Sequence, residues 1–339
     1  MKQHSKSREI LFAVAFLLVT ALLLQLVSAV LRPAHRDYGS TWGAYLAEPK
    51  DSMDLLYLGS SCAYCDVNPA LVYAASGLTG YVMAGSEQTL AITYHYLKEA
   101  LKTQSPKAVL LEGTALFFRP YENYTQINIG YMPPSMNKLD AILNTAEPDK
   151  RAGLLFDLSL YHSRWKELRP SDLKRALTPI PADPLKGHTA VDTIQEGAGV
   201  APNVADRAIS PEVYAANLGH LADILALCRE NDILPIITFN PAYSRCTPAA
   251  YEKAAADIAA LDPGALVYNW TDAFGEIGLT PGLHLYDDMH LNQDGAAIFS
   301  RWLGDFLRRE LGLVPMDQSP ENAQAWQAAE QHWTAQIAQ

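Results

Sequence analysis

The feature that most constrains this chain is an almost unbroken apolar run from Ile10 to Leu31, preceded by Lys2, Lys6 and Arg8. As a helix the run is about 33 Å long, enough to cross a hydrocarbon core of about 30 Å. Thr20, Gln25 and Ser28 are its only polar interruptions. A cleavable signal would find small residues at Val27-Ser28-Ala29, but its apolar region spans only about 7–15 residues. Length therefore favours a retained anchor. Basic residues ahead of the run place the N-terminus inside; Arg32 and Arg36 beyond it weaken that asymmetry without reversing it. The expected product is a single-pass protein of the cell membrane. Residues 1–32 are its cytoplasmic stub and anchor, residues 33–53 a polar juxtamembrane stalk (Pro33, Arg36, Asp37, Gly39), and the rest extracytoplasmic.

Beyond the stalk the chain reads as alternating strands and helices. Asp54–Gly59 is a short apolar strand, followed by a helix over Pro69–Ser76 with Asn68 as N-cap and Pro69 at its first position. Residues 80–85 form a second strand, 87–102 a helix, and Ala108–Glu112 a third strand. The rhythm stops between about 114 and 210, where short helices at 137–145 and 171–177 interrupt an irregular stretch, read as an insertion over one end of the sheet. It resumes with helix 211–230, strand Leu234–Phe239, helix 248–260, strand Ala265–Tyr268 and a final helix over 293–311. Such alternation specifies a parallel, doubly wound sheet, here an α/β domain over 54–315. The tail 316–339 is an amphipathic helix, capped by Ser319, with Trp326, Ala329, Trp333 and Ile337 on one face. That stripe either packs back on the domain or docks a membrane partner.

Lys and Arg total 26 against 37 Asp and Glu, a net charge of −11. General nucleic-acid binding needs a basic surface that displaces counterions, so this balance excludes it. Four cysteines are too few for a disulfide scaffold in 339 residues.

Two segments carry chemistry. Gly59-Ser60-Ser61-Cys62 lies at the carboxyl end of the first strand, where open parallel sheets place ligands and a following helix offers free N–H groups. Asp287-Asp288-Met289-His290-Leu291-Asn292 precedes the last helix. Its Asp-x-x-His spacing lets Asp287 hold the His290 imidazole in the tautomer that accepts a serine proton. A metal reading of His284, Asp287, Asp288 and His290 is the weaker one, and no metal or other cofactor is expected; Asp288 reads as a solvated loop carboxylate. Cys62 and Cys65 form Cys-x-x-Cys after a strand, which opens a thiol–disulfide redox alternative.

Paired in this order, the segments resemble the SGNH/GDSL hydrolase superfamily across roughly 54–112 and 211–312. The resemblance implies a three-layer α/β/α, flavodoxin-like fold. It makes Ser61 the nucleophile, with Ser60 in place of the usual Asp, His290 the base and Asp287 its orienting carboxylate. Gly85 after the second strand matches the second-block glycine, so that the oxyanion hole would draw on Ser61 and Gly85. Glu112-Gly113-Thr114 stands where the third block's Gly-x-Asn-Asp would be. More loosely, the anchor, the Gly-Ser-Ser block and Tyr161–Trp165 resemble membrane-anchored cell-surface acyl-transfer proteins, the DltD-like and alginate-acetylation-like proteins. The implied activity is that of a carboxylic ester hydrolase or acyltransferase acting on an acylated cell-surface glycan or a small ester. It would work alongside a membrane-bound O-acyltransferase partner. A non-catalytic accessory role beside that partner is the alternative. His162, Arg164 and Trp165 in the insertion are expected to line the sugar cleft, because aromatic faces with a few polar groups suit a carbohydrate.

Overall fold

The computed structural model describes residues 2–32, 42–119, 122–155, 157–205 and 209–337. Pro33, Arg36, Asp37 and Gly39 of the expected stalk lie outside the described residues, as does the side chain of Ile337. The chain divides into two compact units, one of Met1–Arg36 with Glu147–Ile180 and one of Asp37–Ala146 with Pro181–Gln339.

The larger unit is built on a five-stranded sheet. β1 (Leu55–Gly59), β2 (Gly80–Ala84), β3 (Ala108–Glu112), β4 (Leu234–Phe239) and β5 (Leu266–Asn269) are all parallel, in the order β2-β1-β3-β4-β5. Every residue of β1, β2 and β3 is buried. Strands covered on both faces read as continuous apolar runs, as Leu55–Gly59 and Ala108–Leu111 do, with Glu112 the charged end of β3. On one side, helix Pro69–Ser76 packs against Gln293–Arg309, and Val72, Phe299, Leu303 and Leu307 join Leu55, Tyr57, Val82, Leu110 and Ile236 in one core. A second pair of helices, Leu90–Ala100 and Pro211–Glu230, packs together and contacts β1 and β4 respectively. The register pairs Gly59 with Ala84, and Glu112 with Thr238 next to Phe239. The residues that follow four strands, Ser60, Gly85, Gly113 and Asn240, therefore gather at one edge. The order reverses between β1 and β3, and that reversal opens a crevice at their carboxyl ends.

Two segments differ from expectation, the stalk and the 114–210 stretch. Within the supposed stalk, Trp42 and Tyr45 are buried in edge-on ring contacts with Tyr96 at 5.0 Å and Tyr81 at 5.3 Å. The Tyr45 hydroxyl donates to Ala100 O at 2.9 Å. Two large aromatic rings outweigh the polar residues around them. The stretch 114–210 is not one insertion: 147–180 belongs with the N-terminal helix, whereas 181–205 stays with the sheet. There it runs past the β2 edge, where Val82 N donates to Lys186 O, and on to the 286–293 loop, where Gln293 N donates to Val191 O. The C-terminal helix Pro320–Ile337 packs its Trp326, Ala329 and Trp333 face on its own domain. Trp326 lies 5.3 Å from the Tyr73 ring, and the Lys186 ammonium, paired with buried Glu48 at 2.8 Å, sits 4.8 Å over the Trp326 ring.

In the smaller unit, the helix Lys2–Leu31 is long and apolar enough over Arg8–Leu31 to span a membrane, a property it shares with signal sequences.

Candidate active site

β1 ends at Gly59 with a φ of +147°, and a Cβ there would lie 2.7 Å from Glu112 Cβ. Only glycine combines that backbone with so close a neighbour. The turn it permits puts Ser60 at the cap of a short helix, Ser61–Asp66, and leaves the first N–H groups of that helix without intrahelical acceptors. Buried Ser60 turns its hydroxyl to Glu112 Oε2 at 3.3 Å, while Ser61 remains partly exposed. Two adjacent serines thus do different jobs.

The 285–291 loop is closed by a bridge between Leu285 and Leu291. Asn292 caps the following helix, accepting from Gly295 N at 2.9 Å and donating to Leu283 O at 2.8 Å. Inside the loop Asp287 Oδ1 accepts from Met289 N at 2.7 Å and His290 N at 2.8 Å. Both Asp287 oxygens lie 2.9 Å from His290 Nδ1, and His290 Nε2 lies 2.7 Å from Ser61 Oγ. A carboxylate only accepts, so Nδ1 carries the proton and Nε2 faces the hydroxyl as acceptor. Ser61, His290 and Asp287 come together as the spacing predicts.

Burial works against charge on both partners, yet the His290–Asp287 pair overcomes it. Desolvation opposes ionisation of Asp287, but the His290 hydrogen bond and charge, with the Met289 and His290 N–H groups, hold its pKa below the ordinary value. Desolvation opposes the imidazolium too. Asp287, by hydrogen bond and charge, and then Asp66 and Glu112 raise the His290 pKa above its ordinary value.

Three supporting residues carry no sequence signal. Asp66, fully buried, accepts from Leu291 N at 2.9 Å and Asn240 Nδ2 at 3.1 Å. It ties the nucleophile helix to the histidine loop. Burial pushes its pKa up to about 8, against the opposing His290 charge and these two hydrogen bonds. Asn240, just after β4, also donates to Cys62 O at 3.1 Å. Glu112 accepts from Thr114 N at 2.9 Å and from the Thr114 hydroxyl, and burial raises its pKa. Apart from the local partners Thr114 and Thr238, their partners lie 52 to 225 residues away, so no local pattern marks them.

Gly85 follows β2 next to the Ser60 turn, and a Cβ there would lie 2.2 Å from the buried Asn128 Oδ1. Asp288, expected in solvent, accepts instead from Gly199 N at 3.0 Å and pins the 181–205 segment to the histidine loop. Cys62 and Cys65 are free, buried thiols; desolvation and neighbouring carboxylates push both pKa values well up. Among the described residues no group of three or more His, Cys, Asp or Glu converges as metal ligands, and His284 Nδ1 accepts from Thr280 N. The three residues expected in a sugar cleft lie in the unit of the N-terminal helix. Arg164 donates to Leu31 O at 2.6 Å and to Asp172 Oδ1 at 3.3 Å, a His162 ring nitrogen bonds Ser159 O, and Trp165 is exposed.

A small pocket of about 30 Å³, partly open to solvent, lies beside Cys62 and Met289, the chain neighbours of Ser61 and His290. Phe117, Phe118 and Tyr251 line it together with Glu112, Thr114, Asn240, Ser244 and Arg245. Compared with known proteins, the chain matches no family model, and no curated protein sequence is significantly similar to it.

Proposed function

We propose that the chain is a membrane-anchored serine esterase or O-acyltransferase of the SGNH type, acting on acyl esters of a cell-surface polysaccharide. The observation that carries this reading is the hydrogen-bonded line from Ser61 Oγ through the His290 ring to Asp287, set where the strand order reverses. In the proposed reaction Ser61 Oγ attacks the ester carbonyl while its proton passes to His290 Nε2. The bond to the alcohol breaks as that proton moves to the leaving oxygen, which leaves the acyl group on Ser61. Water or an acceptor hydroxyl then attacks the acyl-serine, giving its proton to Nε2, and Ser61 regains a proton as the acyl group departs. Asp287 keeps the ring oriented and stabilises the transient imidazolium. The N–H groups of Ser61 and Gly85 are the proposed oxyanion donors. Thr114 takes no part in that hole, because its hydroxyl is committed to Glu112.

The pocket beside Ser61 combines the Phe117 ring with the polar groups of Thr114, Asn240, Ser244 and Arg245, the mixed lining that small-ligand sites use. The exposed apolar surface of the N-terminal helix supports anchorage. Neither alternative gains an observation. The Trp-bearing face of the tail is already covered by its own domain, and raised, buried thiols are the opposite of reactive thiolates.

Ser61→Ala and His290→Ala test the assignment. Each should lower turnover of a chromogenic acetyl ester by about 10⁴-fold or more without changing the melting temperature. Equal turnover in wild type and Ser61→Ala rejects it.

A further inference from the structure

The smaller unit contains a surface that the esterase chemistry does not use. From Arg8 to Val27 every residue of the N-terminal helix except Thr20 is exposed, a length of about 30 Å, matching a hydrocarbon core. Only the last turn, Ser28–Leu31, is covered, and the segments Asp157–Tyr161, His162–Lys166 and Pro170–Ala176 pack against this helix. The final carbonyls of a helix lack intrahelical donors and cannot be left bare in lipid. Here they are taken up by arginines: Arg164 Nη1 donates to Leu31 O at 2.6 Å and Arg175 Nη2 to Arg32 O at 2.5 Å. Both guanidinium groups also hold Asp172 Oδ1, at 3.3 Å and 2.7 Å. These bonds fix residues 162–176 at the level where the apolar run stops.

At that level the segment presents Leu155, Trp165, Leu168, Leu173, Leu177 and Ile180 uncovered. Leu173 and Leu177 are one helical turn apart. Lys166 Nζ lies 5.7 Å from the Trp165 ring, and tryptophan favours the headgroup level of a bilayer. Residues 147–180 also carry seven Lys and Arg against five Asp and Glu, in a chain whose net charge is −11. An apolar rim with local positive charge suits an anionic lipid surface.

We propose that residues 147–180 form a membrane-interface collar that seats Trp165, Leu173 and Leu177 among lipid headgroups at the C-terminal end of the spanning helix. The proposal rests on the reading that this helix spans a bilayer, and the test separates the two. The full chain is reconstituted in phosphatidylcholine–phosphatidylglycerol nanodiscs, with an environment-sensitive fluorophore on Leu17→Cys, Leu173→Cys or Leu177→Cys. Lipids brominated near the bilayer centre or near the headgroup end of the acyl chains serve as quenchers. The collar predicts that the Leu17 label loses emission to the deep bromines, and the Leu173 and Leu177 labels to the shallow ones. A quenched Leu17 label beside bright, iodide-accessible labels at 173 and 177 overturns the collar while the anchor stands. Labels shielded from iodide yet untouched by either bromine overturn it in favour of a second copy of the chain covering the face. An unquenched Leu17 label overturns the spanning helix and the collar together.

Discussion

Asp66 is the fastening between two active-site segments that are distant in sequence, and its removal has a magnitude that the structure fixes. Asp66→Ala strips the acceptors from Leu291 N and Asn240 Nδ2, both buried. A buried donor left unsatisfied costs about 1–3 kcal/mol; Leu291 N bears that in full while Asn240 Nδ2 keeps Cys62 O as acceptor, so the loss is about 1–4 kcal/mol. For a domain of this size that loss lowers the melting temperature by on the order of 10 °C. The freed 287–291 loop also carries His290 away from Ser61, and a displacement of about 1 Å is worth about 100-fold in rate. Asp66→Asn separates charge from hydrogen bonding. Burial raises the Asp66 pKa above its unfolded value, to about 8. Between about pH 4 and that value the folded chain holds a proton the unfolded chain has released, so wild-type stability falls as pH rises through this window. Asparagine abolishes that slope. The assays are urea or thermal unfolding across pH and ester turnover at a temperature where each variant is folded. An Asp66→Ala protein that melts within about 1 °C of wild type, with unchanged kcat/KM, refutes the fastening.

Three further outcomes follow from the site. His290 must be neutral to accept the Ser61 proton, and its pKa is raised chiefly by Asp287 against burial, so kcat/KM should fall as pH drops through a value above the ordinary histidine pKa of about 6.5. Asp287→Asn should move that acid limb downward and cut kcat by about 10⁴-fold, because an amide N–H facing Nδ1 imposes the wrong tautomer; a pH–rate profile with an unmoved limb contradicts this. Gly59→Ala forces a positive φ on alanine and drives its Cβ against Glu112, a destabilisation of about 2–4 kcal/mol that also shifts Ser61. Denaturant titration and ester turnover should both register it.

Much of the sheet was legible because parallel strands buried on both faces leave continuous apolar runs. β1, β3 and β4 were readable from Leu55–Gly59, Ala108–Glu112 and Leu234–Phe239 almost to the residue. Capping chemistry marked two helix starts: Asn68 accepts from Ala70 N and Ser319 from Asn322 N. The Ser61, Asp287 and His290 set was legible because two of its members share one loop and the third follows a strand. What escaped depended on long-range pairing. Asp66, Glu112 and Asn240 look like ordinary turn residues until their partners are known. Composition alone could not show that Arg164 caps the end of the N-terminal helix. Trp42 and Tyr45 were hidden in a polar stretch, and only the tyrosines of β2 and of the helix after it explain their burial.

The most direct test of the central claim is covalent trapping. The full chain is treated with a fluorophosphonate at a pH above the His290 transition, and the adduct is located by peptide mass spectrometry. The account predicts a single phosphonylated peptide modified at Ser61, slow labelling in His290→Ala and none in Ser61→Ala. Labelling on Ser60 or another residue, or an unmodified Ser61 in protein that hydrolyses esters, contradicts it.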